Sequence, residues 1–181
     1  MLRIISGSLR NRKILQPDLK ITRPTTDKVR EAVFSSLQFK IVGKNFLDLF
    51  SGSGAIAIEA FSRGAKKVVA VEKNREAFHI VKTNLDTLNI SNQIEAIHSD
   101  ALVFLTKNQS KFDFIYLDTP YLDYQLMNDV LALIMQQKIL NDDGEIIVET
   151  NKITEVKVPL GFKIYKTKRY GKVDILYLCY E

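Results

Sequence analysis

Apolar positions along this chain switch repeatedly between the alternating period of a strand and the roughly 3.6-residue period of a helix. The first runs are short: residues 2–5 and 12–15 are β-like and are separated by Ser6-Gly7-Ser8, which predicts a small hairpin. Pro17 and Pro24 bracket a linker. From Asp27 onward Val29, Ala32, Val33 and Leu37 recur at helical spacing, predicting an amphipathic helix to about Phe39, and Gly43 marks the entry into the main body.

The main body alternates regularly. Strands are predicted over 45–50, 67–72, 93–98, 112–118 and 145–150, separated by helices over 55–63, about 74–88, a short stretch after Asp100, and 124–137. Two later β-runs, 162–167 and 173–180, read as an antiparallel edge hairpin turning at Tyr170-Gly171. Strands separated by helix-length segments imply right-handed crossovers and a largely parallel α/β sheet covered on both faces. The chain therefore divides into an extension, 1–44, and one compact unit, 45–181.

At 181 residues with 46% hydrophobic side chains, the chain is long enough for one domain that buries roughly 70% of its unfolded surface. Its single cysteine, Cys179, and two isolated histidines give neither a disulfide framework nor a typical structural zinc site, so a cytoplasmic location and no metal are expected. No apolar run approaches the length of a membrane span, and Met1 to Arg12 carries arginines without the apolar core of a secretory signal, so neither membrane insertion nor export is expected. The formal charge of +5 is uneven: residues 1–44 carry ten basic and three acidic side chains, and the remainder is net −2. A basic arm before a slightly acidic body suits a polyanion, although a solvated charged face would look the same. Lys163, Lys166, Lys168, Arg169 and Lys172 form a smaller basic group that could extend that surface.

Candidate chemistry lies at the ends of the predicted strands. The first strand of the main body runs into Asp48-Leu49-Phe50-Ser51-Gly52-Ser53-Gly54, a glycine turn opening a helix. Gly52 and Gly54 lack the Cβ atoms that would keep a ligand off the backbone. Their spacing to Ala57 also fits the G-x-G-x-x-A dinucleotide fingerprint, so spacing alone does not choose a cofactor. Charge is more selective. Asp48, Glu72, Asp100 and Asp118 end or follow the first four strands, so four carboxylates should gather along one sheet edge. They would repel a pyrophosphate, whereas S-adenosylmethionine brings a sulfonium, an ammonium, ribose hydroxyls and an adenine amine, all of which suit carboxylates. Asp100 could equally cap the next helix, and Glu72 could be an exposed strand end.

The fourth strand ends in Asp118-Thr119-Pro120-Tyr121, which resembles the Asp/Asn/Ser-Pro-Pro-Tyr/Phe signature of amino-group methyltransferases, with threonine in place of the first proline. A base amine is a poor nucleophile because its lone pair is delocalised into the ring. Asp118 and the Thr119 carbonyl would accept its N–H bonds and direct the lone pair towards a methyl group, Pro120 would rigidify the turn, and Tyr121 would stack on the base.

With these motifs placed, the chain resembles the RsmD family of bacterial ribosomal RNA methyltransferases along its whole length. The resemblance rests on Arg3-Ile4-Ile5-Ser6-Gly7 with Arg10, the block from Arg23-Pro24-Thr25-Thr26 to Arg30-Glu31, Asp48 to Gly54, Glu59 to Ala65, Val71-Glu72, Asn84-Leu85, Asp100-Ala101, Asp118 to Tyr121 and Tyr170-Gly171. It implies a Rossmann-like class I methyltransferase fold with a seven-stranded sheet, S-adenosylmethionine as donor, no metal, and the N2 amine of a guanine in small-subunit ribosomal RNA as acceptor, either in free RNA or within an assembled ribosomal particle. By position it assigns Asp48, Ser51, Gly52 and Gly54 to the cofactor loop, Glu72 to the ribose, and Asp100 and Ala101 to the adenine. Arg3, Arg10, Arg12, Arg23, Thr25 and Arg30 are the candidate RNA contacts. Competing readings are a DNA adenine methyltransferase, a non-catalytic RNA-binding or assembly protein on the same fold, and a nicotinamide-dependent oxidoreductase.

Overall fold

The computed structural model describes residues 1–18, 25–120 and 123–181; Arg23 and Tyr121, two of the expected site residues, lie outside the described residues. The N-terminal hairpin pairs β1 (Leu2–Arg3) with β2 (Lys13–Ile14) and is followed by α1 (Asp27–Leu37). The main body runs β3 (Asn45–Asp48), α2 (Ala55–Ser62), β4 (Lys67–Glu72), α3 (Arg75–Thr87), β5 (Ile94–His98), α4 (Ala101–Lys107), β6 (Phe112–Leu117), α5 (Tyr124–Gln137), β7 (Leu140–Thr150), β8 (Phe162–Tyr170) and β9 (Val173–Tyr180).

Four of the five described α-helices begin where the sequence supplies a side-chain cap, α2 being the exception. The side chains of Thr26, Asn74, Asp100 and Asp123 accept from backbone N–H groups at the starts of α1, α3, α4 and α5, filling acceptor roles that the first turn otherwise lacks. β3 to β9 form one sheet in the order β5-β4-β3-β6-β7-β9-β8, in which every pairing is parallel except those of β9 with β7 and β8. Residues of α1, α2 and α3 such as Phe34, Ile58 and Val81 pack on one face, and residues of α4 and α5 such as Leu105, Val130 and Ile134 on the other. The chain leaves β3 towards β4 and later returns to place β6 on the opposite side of β3. The carboxyl ends of β3 and β6 therefore flank the switch point where such sheets bind ligands.

Several element bounds differ from expectation; β1 (Leu2–Arg3), β2 (Lys13–Ile14) and β3 (Asn45–Asp48) are each two residues shorter, and three other differences have a clear physical cause. β7 starts at Leu140, five residues early, because Asn141-Asp142-Asp143-Gly144 is absorbed as a register irregularity between the Phe112–Leu140 and Phe114–Glu145 pairs. β8 continues through Lys168, Arg169 and Tyr170, since charged side chains are well tolerated on an edge strand. α1 ends at Leu37, leaving Phe39 94% exposed while Ile41 turns back into the core.

The basic arm is bolted to α2. Glu59, wholly buried, accepts from the N–H groups of Ile5 (2.9 Å) and Ser6 (3.0 Å) and from Arg63 Nε (2.9 Å). Ser62 Oγ donates to the Ser6 carbonyl (2.6 Å) and accepts from the Leu9 N–H (2.9 Å). Between these anchors Gly7, at φ +86°, lies so close to α2 that a Cβ would stand 1.8 Å from the Ser62 carbonyl oxygen, so no other residue fits this docking. Arg30 corrects an expectation: it is fully buried, donating from Nη2 to the Arg3 carbonyl (2.5 Å) and Asp27 Oδ1 (2.9 Å), with Nε 3.9 Å from Glu59 Oε2. A guanidinium enclosed by two carboxylates and a carbonyl ties α1 to the arm and is not available to a phosphate.

Candidate active site

A cleft of about 1060 Å³ opens over the switch point. Its floor is the turn that joins β3 to α2. The Ser51 N–H donates to the Val71 carbonyl (3.0 Å), the Gly54 N–H closes the turn on the Ser51 carbonyl (2.7 Å), and Gly52 adopts φ +56°. Ser51, Gly52 and Ser53 face the cleft. Gly54 does not: it is the N-cap of α2 at φ +82°, a left-handed conformation that favours glycine, and its open side faces Val81 and Ile58. Its conformation turns the chain into α2, and its open side does not border the cleft.

The expected carboxylates converge, with distinct roles. Glu72 lines the cleft at the end of β4; Oε2 accepts from the Gly52 N–H (2.8 Å) and Oε1 from the Asn74 N–H (2.7 Å), so it ties together two strand-to-helix junctions. Each oxygen has a second lone pair to offer a hydroxyl. Asp100 caps α4 through Oδ1, and its Oδ2 lies 3.1 Å from Lys73 Nζ. Partial burial pushes its pKa up, but Lys73 and the N–H groups of Val103 and Leu102 outweigh this and hold it below the ordinary value. Ala101 follows it on the same wall, and Asp118, Thr119 and Pro120 line the facing side at the end of β6.

Asp48 lies apart from the lining, beneath the glycine turn, 1% exposed, with both carboxylate oxygens buried and unpartnered among the described residues. Burial pushes its pKa up to about 7 from an ordinary 3.8, with the nearby Ser51 hydroxyl opposing the shift and the charge of Glu72 adding to it. Between those values the folded chain holds a proton that the unfolded chain has released, so this group lowers stability progressively as pH rises from 4 to 7 and no further above that. Unfolding by denaturant is therefore expected to show Asp48→Asn gaining on the parent across that window, by at most about 4 kcal/mol at pH 8, and matching it near pH 4.

One carboxylate of the cleft is not among the residues expected from the sequence. Glu149, near the end of β7, lines the same cleft and accepts at Oε2 from Tyr116 Oη (2.6 Å) and Thr25 Oγ1 (2.9 Å). Burial first, then the charges of Glu149 and Asp118, push the Tyr116 phenol well above its usual pKa, so it remains a donor. The available signal was the apolar run Ile146-Ile147-Val148 ending in an acid, the pattern that located Glu72. Thr25 is thus a wall residue of the cleft, while Arg3, Arg10 and Arg12 stand exposed on the arm. Gln16 and Pro17 of the arm, and Lys172 at the tip of the β8–β9 hairpin, complete the rim.

This donor and acceptor set suits a cationic nucleoside. The orphaned Asp48 carboxylate under the floor calls for positive charge above it, the lone pairs of Glu72 suit a ribose diol, and the glycine turn leaves room at the backbone. The fold and the site together define an S-adenosylmethionine-dependent methyltransferase. The family described as Conserved hypothetical protein 95 matches residues 2–179, and the chain belongs to it, the RsmD family. Among relatives, Ribosomal RNA small subunit methyltransferase D of Haemophilus influenzae is 36% identical over 95% of this chain and 90% of its own, and that of Buchnera aphidicola from Acyrthosiphon pisum is 35% identical over 97% and 92%. The solved structure of Escherichia coli yhhF superposes with a TM-score of 0.88 at 32% identity, covering 99% of this chain and 98% of that one.

Proposed function

We propose that this protein methylates the N2 amine of one guanine in small-subunit ribosomal RNA. The observation that carries the reading is the placement of Asp118, Thr119 and Pro120 on one wall of a cleft whose floor is the glycine turn, across the switch point between β3 and β6. The cofactor supplies an electrophilic methyl group on a sulfonium. Everything else falls to the chain. Glu72 would hold the ribose and Asp100 and Ala101 the adenine edge, Ser51 and Gly52 would line the donor's seat, and Asp48 beneath the turn would favour its positive charge. Asp118 and the Thr119 carbonyl accept the two amine N–H bonds and so aim the nitrogen lone pair, the orienting role that raises an otherwise weak nucleophile. Pro120 stiffens the turn and Tyr121 stacks on the extruded base.

The RNA assignment draws on the names borne by the relatives and on the extension 1–44, whose net +7 contrasts with the acidic body. Arg3, Arg10, Arg12 and Arg23 would take phosphates, possible in free RNA or in an assembled particle, and affinity should fall steeply with salt. Incubation of the protein with labelled donor and undermethylated small-subunit RNA or subunits, followed by digestion to nucleosides, is expected to yield N2-methylguanosine. Label in methyladenosine from duplex DNA, or no incorporation from competent subunits, would overturn the reading.

A further inference from the structure

Asn84 of α3 is 2% exposed and spends its whole amide on two distant segments. Its Oδ1 accepts from the Leu15 N–H at 2.8 Å, and its Nδ2 donates to the Leu15 carbonyl at 2.9 Å and to the Ser53 carbonyl at 2.9 Å. Leu15 follows β2 in the basic arm, and the next two residues, Gln16 and Pro17, line the cleft; Ser53 lies between the two glycines of the cofactor turn and lines it too. A planar amide cannot follow one partner without straining its bonds to the other, so the positions of these two cleft walls are linked through one side chain.

The front of the arm does not need Asn84. Residues Ile5 to Leu9 have their own anchors on Glu59 and Ser62, which places the specific duty of Asn84 at the stretch from Leu15 to Pro17, where arm and cofactor turn meet. We infer that Asn84 is a positioning residue that couples the two substrates: cofactor seated on the glycine turn fixes the arm for RNA, and RNA seated on the arm raises cofactor affinity. This inference rests on the proposed function, since it takes the arm as the RNA contact. By linkage the two factors must be equal, and couplings of this kind are typically about 5- to 150-fold.

The test is calorimetric titration of the intact protein with S-adenosylhomocysteine, alone and with saturating small-subunit RNA, and the reciprocal titration with RNA. The parent is expected to show an affinity gain of roughly 5-fold or more, equal in both directions. Asn84→Asp keeps the acceptor for Leu15 but loses both donors. It should bind each ligand singly within a few-fold of the parent, with the coupling collapsed towards one. Hydrogen exchange on the parent supplies a readout free of any folding defect: RNA alone should slow exchange of the amides over 51–54. Additive binding by the parent, exchange there unmoved by RNA, or full coupling retained in folded Asn84→Asp would overturn the inference while leaving the methyltransferase reading intact. Failure of the parent to bind either ligand would remove that reading and the inference with it.

Discussion

Asp118→Ala is expected to slow single-turnover methyl transfer by about 10²–10³-fold while leaving cofactor affinity within a few-fold of the parent. The carboxylate lies on the wall of the cleft that the glycine turn floors, at the end of β6, and in the proposed reaction it meets the substrate amine, not the donor. Its loss therefore falls on the chemical step. Asp118→Asn retains an oxygen acceptor and should be the milder change, because the orienting hydrogen bond survives with less charge behind it. Rapid-mixing measurement of labelled RNA, with donor binding followed separately, checks both. A fall in donor affinity large enough to account for the lost rate would instead place Asp118 in the cofactor site.

The largest effect on stability is expected at Glu59, far from the chemistry. Glu59→Ala removes the acceptor of two arm N–H groups and the partner of Arg63, and it leaves the enclosed Arg30 guanidinium with Asp27 as its remaining carboxylate contact. Burial already holds the Arg30 pKa below its ordinary value, with Glu59 opposing that shift most strongly among its neighbours. Deleting one member of a buried charged pair costs about 3–5 kcal/mol, because the other charge stays desolvated. For a chain of this size that corresponds to a fall in melting temperature of roughly 10 °C. Glu59→Gln keeps the shape and one oxygen acceptor and should lose less. In both variants RNA affinity is expected to drop more than donor affinity, since the arm is what comes loose; equal losses would show that Glu59 supports the fold without orienting the arm.

Much of this was legible in the sequence because periodicity and chain-end chemistry are local. The bounds of β4 and α5 match the expected 67–72 and 124–137, and the acids ending apolar runs identified the sheet edge that holds the site. What was not legible depends on contacts between distant segments. Arg30 sits in a polar stretch, Asp27-Lys28-Val29-Arg30-Glu31, that reads as solvated until α2 is placed against it. The clue lay elsewhere, in Glu59, an acid inside the apolar helix Ala55-Ile56-Ala57-Ile58-Glu59-Ala60, which has to be satisfied by something. Asp48 and Gly54 were identified as important by type and spacing. Whether a residue forms the wall of a cleft or the support beneath it depends on how the turn folds, and the turn buries both. Glu149 reaches its partner Thr25 across 124 positions of sequence, a separation at which no spacing rule operates.

In the proposed reaction an acidic cleft beside a glycine turn presents a base amine of small-subunit ribosomal RNA to a cationic methyl donor. Its most direct test is nucleoside-resolved mass spectrometry of that RNA from cells lacking this protein, and from the same cells given back either the parent or Asp118→Ala. One guanine is expected to be lighter by a single methyl group in the deletion, restored by the parent and not by the variant. Identical RNA with and without the protein, or full restoration by Asp118→Ala, would contradict it.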